Sequence, residues 1–232
     1  MPHGDPAVRA HMSARGQGDD DAPAPDENPT KSIATRRATL DDAARIAHLL
    51  SAAFARDPVF NWMTRENGRA EALNRFFYWV MRQRAIPLGE TWISMDGYAA
   101  VSWVAPYAEA RPENFREELR LLSVLMSLTG LSRFPRGAAM AKAMEHAHPP
   151  EPYFYLAFVG VAPRFQGTGL GTTLLKHTLA RVDAVGMPAF LENSNPRNIK
   201  LYERFGFRVT REITARKDAP PLYAMLRPGR NA

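Results

Sequence analysis

Between an apolar run and a helix-like segment, the chain turns on three glycines in five residues, Gly167-Thr168-Gly169-Leu170-Gly171. The run before it, Tyr153 to Val161, is short and flanked by prolines, which predicts a buried strand that stops at Pro163. The segment after it, Thr172 to Ala184, has helical spacing. Glycines at a strand-to-helix turn let backbone N–H groups approach a phosphate, and the helix dipole favours negative charge there. The turn therefore predicts a site for a phosphorylated ligand inside a layered α/β domain.

Context narrows which ligand. A Walker phosphate loop needs Lys followed by Ser or Thr after its last glycine, but Gly171 is followed by Thr172 and Thr173, with no Lys before Lys176. A dinucleotide fold needs its glycine turn in an early βαβ unit, with an acid about 20 residues on. Here the turn lies in the last third of the chain, and Asp183 falls within the helical segment. Neither reading survives.

The rest of the chain reads as one domain behind a tail. Residues 1 to 33 are rich in Pro, Gly, Asp and Ala and predict a disordered N-terminal tail. The domain is expected over 34–228 and begins with a strand, Ile33 to Ala38, in the order strand, two helices, two strands. The first helix is capped by Thr39 and ends at Asp57-Pro58; the second covers Arg69 to Gln83. Asp96-Gly97 is a two-residue hairpin turn between Thr91–Met95 and Tyr98–Ala105. A third helix, Glu113 to Leu128, is expected to bury Leu119, Leu122, Leu125 and Met126, and a further one covers Gly137 to Ala147. After the glycine turn come a strand (Ala189–Asn193), a helix capped by Ser194 or Asn195 with Pro196 at its first position, and strands at Phe207–Arg211 and Leu222–Leu226. Strands and helices in this order predict a mixed sheet covered by helices.

Charge and cysteine content bound the chemistry. Formal net charge is +6, but the first 32 residues carry three basic and six acidic side chains, so the remainder is more basic still. That suits an anionic ligand; the basic residues form no dense run, and neither nucleic acid nor a metal is expected. With no Cys there is no disulfide and no thiolate nucleophile or ligand. No secretory leader or membrane-spanning run is visible, and a cytoplasmic location is expected.

Gln166-x-x-Gly169-x-Gly171, preceded by Val159-x-Val161-x-Pro163, resembles the pyrophosphate loop of the GCN5-related N-acetyltransferases (GNAT superfamily). Glu192-Asn193-Ser194, and Asn198-x-x-x-Tyr202-Glu203-x-x-Gly206-Phe207, extend the resemblance. Within that superfamily the chain is similar to puromycin N-acetyltransferase and its relatives, through Pro188-Ala189-Phe190-Leu191-Glu192 and Pro196-Arg197-Asn198. The resemblance implies a mixed central sheet of about seven strands flanked by helices, with a V-shaped cleft between the fourth and fifth. It also implies acetyl-CoA as co-substrate and direct transfer to a primary amine. The acceptor is expected to be a small molecule, with an antibiotic in view. A protein or peptide N-acetyltransferase and a non-catalytic acyl-CoA-binding regulatory module are the alternatives.

Site expectations follow. The resemblance gives the backbone of Val159 and Val161 to the pantetheine arm. It gives the amides across Gln166, Gly167, Thr168, Gly169, Leu170, Gly171 and Thr172 to the pyrophosphate. Asn198 goes to the cofactor and Tyr202 to the general acid beside the thioester sulfur. Arg164 adds charge near the phosphates. Asn198 and Tyr202 stand four apart and share a helix face. Glu192 ends the fifth strand as an ammonium binder or general base, or else as a partner of Arg197. Asp57, Phe60 and Trp62 are candidates for the acceptor pocket. Tyr153 and Tyr155 are expected on alternate faces, and His146 and His148 are read as loop histidines.

Overall fold

A computed structural model describes residues 34–88, 90–106 and 115–230. The tail expected over 1–33, the first residue of the first expected strand and Glu113 lie outside the described residues. Seven strands form one sheet in the order β1-β2-β3-β4-β5-β7-β6. They are β1 (Thr35–Arg37), β2 (Glu90–Ser94), β3 (Ala99–Val104), β4 (Phe154–Val161), β5 (Ala189–Asn193), β6 (Arg208–Ile213) and β7 (Leu222–Arg227). Every pairing is antiparallel except β4 with β5. The helices are α1 (Ala43–Ala53), α2 (Pro58–Met63), α3 (Arg69–Val80), α4 (Phe115–Glu145), α5 (Leu170–Val185) and α6 (Ile199–Glu203).

Strand alternation feeds separate cores. On one face Val101, Trp103, Phe154, Leu156 and Leu191 pack with Leu174, Leu175 and Leu179 of α5. On the other, α1 and α3 bury Ile46, Leu50, Leu73 and Phe77 with Ile93 and Ala100. A third cluster joins Val59 of α2 and Met140 of α4 to Phe190, Ile213, Leu222 and Ala224. Among the described residues, no helix is long and apolar enough to cross a membrane.

The first helix opens as Thr39 predicts. Thr39 and Asp42 form a reciprocal capping box, and Arg36 reaches both carboxylate oxygens of Asp42 at 2.7 Å. The hydrogen bonds from Arg36 first, then those from Thr39, hold the Asp42 pKa down to about 2. A depressed carboxylate stabilises the fold above its unfolded pKa and loses that contribution as pH falls from about 4 through about 2. Asp42→Asn should therefore cost about 1–2 kcal/mol at pH 7, the half-exposed Arg36 keeping it modest. Urea titrations at a series of pH values should show the gap closing as the wild type is acidified.

Three expectations change. Asp57 does not only end the first helix: its carboxylate accepts from the N–H groups of Val59 and Phe60, both at 3.0 Å, and so starts α2. The two helices expected between β3 and β4 are present as the two halves of α4, but they meet directly at the non-helical Gly130, where φ is 64° and ψ 173°, so the second begins earlier than Gly137. Its first half is also rotated relative to expectation: Leu119 and Leu122 are 48% and 46% exposed, while Val124 and Leu128 are buried. Apolar residues surround this helix, so its own pattern sets no phase; packing against its neighbours does.

Candidate active site

β4 and β5 pair only through Phe154↔Ala189 and Tyr155↔Phe190. Beyond these pairs β4 runs on to Val161 and β5 to Asn193 without pairing each other. The sheet splits here, and a bulge in β4 accounts for it. Ser102 faces Phe158 while Trp103 faces Leu156, so Ala157 is an extra residue and bends its strand away. The bulge also fixes which backbone groups face the opening. Ala162 N–H bonds Tyr98 O at 2.8 Å, so Gly160 and Ala162 point their groups at β3. Val159 and Val161 then point theirs into the split, as an added strand requires. The Gln166 side-chain amide donates to the Val161 carbonyl at 3.2 Å.

The glycine turn lies at the end of β4. Gly167 and Gly169 have φ of 80° and 85°, and a Cβ at either would have nothing within 4 Å. They are glycine for backbone conformation, and the space beside them is open. Gly169 precedes the first residue of α5, and no side chain caps that helix, so its first N–H groups have no intrahelical acceptor. A Cβ on Gly171 would come within 2.9 Å of Val161 Cγ2, so the helix starts hard against β4. Two amides of the expected set are engaged elsewhere. Gln166 N–H bonds Pro163 O at 3.3 Å and Thr168 N–H bonds Phe165 O at 3.4 Å. The Thr168 hydroxyl also turns back to Phe165 O, at 2.7 Å. Arg164 lies over the rings of Tyr98 and Phe165, 4.6 and 4.9 Å from their centroids, which holds its charge beside the turn.

On the α5 side of the sheet, Tyr202 packs on Phe207 with ring centroids 6.1 Å apart. Burial pushes its hydroxyl pKa up to about 12. Asn198 sits four residues earlier, at the position that precedes α6, exposed. Asn195, rather than Ser194, caps this segment, its side chain accepting from Arg197 N–H.

Glu192 occupies the opposite face. Its side chain is 2% exposed, and Oε1 lies 2.8 Å from Nε2 of His148. Burial, then the Glu192 charge, raise the Tyr155 phenol well above 10. Tyr153, raised by burial and then by Glu192, meets Nδ1 of His148 with its hydroxyl. Glu192 thus lies against His148 rather than Arg197, and its buried Oε1 has no hydrogen-bond partner. One expectation fails here. Tyr153 and Tyr155 share one face, because strand positions two apart always do. Both histidines lie in the loop before β4, as expected, but the His148 ring joins this cluster, whereas the His146 ring contacts Lys142 O at 2.7 Å.

The acceptor-pocket candidates divide. Asp57 accepts from the Ser194 hydroxyl and burial raises its pKa, so it ties α2 to the end of β5. Phe60 is core, packed against Phe54, Phe76 and Phe77. Trp62 donates from Nε1 to Asp218 at 3.2 Å and carries Arg136 over its ring at 5.3 Å. Among the described residues no group of His, Asp and Glu could hold a metal.

Residues 97–207 match the acetyltransferase (GNAT) family. An uncharacterized N-acetyltransferase of Schizosaccharomyces pombe is 36% identical over 76 residues, 32% of this chain and 31% of that protein. The chain thus matches about a third of the length of this curated relative. A Corynebacterium glutamicum structure described as histone acetyltransferase HPA2 and related acetyltransferase is 27% identical, with TM-score 0.62 over 84% of this chain and 95% of the other. A Drosophila melanogaster polyamine N-acetyltransferase that forms N-acetylagmatine shares the fold, at 16% identity and TM-score 0.55 over 84% and 99% of the two chains.

Proposed function

We propose that the chain, whose residues 97–207 match the acetyltransferase (GNAT) family, transfers acetyl from acetyl-CoA directly to a primary amine of a small molecule, puromycin-like antibiotics among the candidates. One observation carries the reading: at the split between β4 and β5, a buried carboxylate stands on one face and the open N-terminus of α5 on the other. The donor side consists of the outward backbone of Val159 and Val161, the free amides of Gly169 to Thr172, and Asn198. Acetyl-CoA, when bound, supplies the activated acetyl carbonyl. Glu192 takes a proton from the attacking amine. The Tyr202 hydroxyl faces the leaving sulfur. At a pKa of about 12 it stays protonated throughout the working range, and it acts by hydrogen bonding to the developing thiolate. Tyr202→Phe should lower kcat about tenfold to a hundredfold with little change in the KM for acetyl-CoA, checked by steady-state kinetics.

A small acceptor is favoured because helices close the carboxylate side. Met140 of α4 and Val59 of α2 pack beside Phe190, and Glu192 is almost wholly covered. A peptide needs an open groove there. The deciding experiment follows thiol release from acetyl-CoA with a panel of amines: puromycin, agmatine, an arylalkylamine and an N-terminal peptide. Turnover on a small amine supports the reading. Turnover on the peptide alone makes the protein a peptide acetyltransferase. Tight CoA binding without turnover on any acceptor makes it a binding module.

A further inference from the structure

We propose that His148 is a positioning residue that sets the direction and the charge of the Glu192 carboxylate, and so links the α4 cover to proton removal from the acceptor. The inference rests on the reading of Glu192 as the base. Its warrant is geometric. Nδ1 of His148 meets the Tyr153 hydroxyl, and Nε2 lies 2.8 Å from Glu192 Oε1, a buried oxygen with no hydrogen-bond partner of its own. The ring plane is held by Tyr153, Tyr155 and Phe190, with centroids at 5.7, 5.1 and 5.0 Å. A histidine that merely filled space would need neither polar contact. Glu192 is 2% exposed and His148 29%, and His148 borders a solvent-open hollow with Ala141, Met144 and Glu145. The ring therefore stands between a buried carboxylate and water.

Two protonation states follow. With a proton on Nε2 only, the neutral ring stands against Oε1 without a hydrogen bond to it and leaves the carboxylate free to take a proton from the amine. When water delivers a second proton to Nδ1, the ring becomes an imidazolium, and Nδ1 donates to the Tyr153 hydroxyl oxygen in place of accepting from it. Its charge, beside a buried carboxylate, makes Glu192 a poorer base, and the low local dielectric strengthens the effect. The titratable groups around the ring are Glu192 from β5, Tyr153 and Tyr155 from β4, and Glu145 from α4. Arg211 of β6 reaches the nearby His146 carbonyl at 3.1 Å. Both tyrosines are raised and stay protonated.

The test measures kcat and KM across about pH 5 to 9, with the amine of highest kcat/KM in the panel above, for wild type, His148→Gln, His148→Asn and Glu192→Gln. The Gln amide reaches the place of Nε2 and keeps a donor on Glu192 without titrating; the Asn amide replaces Nδ1 and leaves Glu192 without that partner. His148→Gln should keep about a third or more of wild-type kcat at pH 8, and the acid limb of its log kcat/KM profile should lose about one proton of slope. His148→Asn should lose kcat about tenfold or more at unchanged KM for acetyl-CoA. An acid limb of wild-type slope in His148→Gln, or wild-type kcat in His148→Asn, overturns the proposal while leaving the base intact. Wild-type kcat in Glu192→Gln, or no turnover on any amine, removes the base itself and the proposal with it.

Discussion

Glu192→Gln is expected to lower kcat about a hundredfold to a thousandfold while the KM for acetyl-CoA stays within about twofold. The two effects separate because the two halves of the site lie on opposite faces of the sheet. The glycine turn, Asn198 and Tyr202 lie with α5, and Glu192 lies with His148 and Tyr155. Gln has the shape of Glu and can still accept from its neighbours, but it cannot take a proton. Stability tells a catalytic carboxylate from a structural one. A carboxylate that is 2% exposed and has a buried oxygen without a hydrogen-bond partner carries a desolvation cost that its surroundings offset only in part. Neutralising it should leave Tm unchanged or raise it, a trade of stability for activity. A Glu192 that only braced the His148 and Tyr155 contacts would behave in reverse, with a lower Tm and a kcat close to wild type. Thermal melts run beside the kinetics decide between them.

What could be read from the sequence was local. The strand into the glycine turn, the Asp96-Gly97 hairpin and the Thr39 cap each depend on residues within a few positions of one another, and each is present. The glycines at 167 and 169 have positive φ because the turn demands it. What could not be read depends on where distant segments meet. His148 stands 44 positions before Glu192, and nothing in its neighbourhood marks it as a partner for a carboxylate. One signal was available. Tyr153 and Tyr155 share a strand face by simple alternation, so two phenols beside the expected base were predictable, and the polar group serving them was worth seeking in the segment that enters the strand. α2 was hidden for a different reason. Asp57-Pro58 fits a helix end and a helix start equally well, since Pro is tolerated in the first turn, and only the capping bonds to Val59 and Phe60 decide. For α4, apolar residues all round the helix left its phase to the partners it packs against.

Gly169→Ala is the second substitution with a large expected effect, and its control is Gly68→Ala. Both glycines have a left-handed backbone, with φ of 85° and 62°, and both precede a helix, α5 and α3. An alanine in that conformation costs about 1–2 kcal/mol at either place, so both variants should melt lower by similar amounts. Only one should lose the cofactor. Nothing lies within 4 Å of a Cβ at position 169, so the methyl group meets no protein atom and the fold can accommodate it. It would project from the residue that leads into α5, whose free amides are to receive a phosphate, and a relaxed φ there would turn those amides away. Gly169→Ala should raise the KM for acetyl-CoA at least about tenfold, equivalent to about 1.4 kcal/mol of binding, whereas Gly68→Ala should leave it unchanged. Equal KM values in the two variants would mean that the turn serves only to join β4 to α5, and that the donor is held elsewhere along the split.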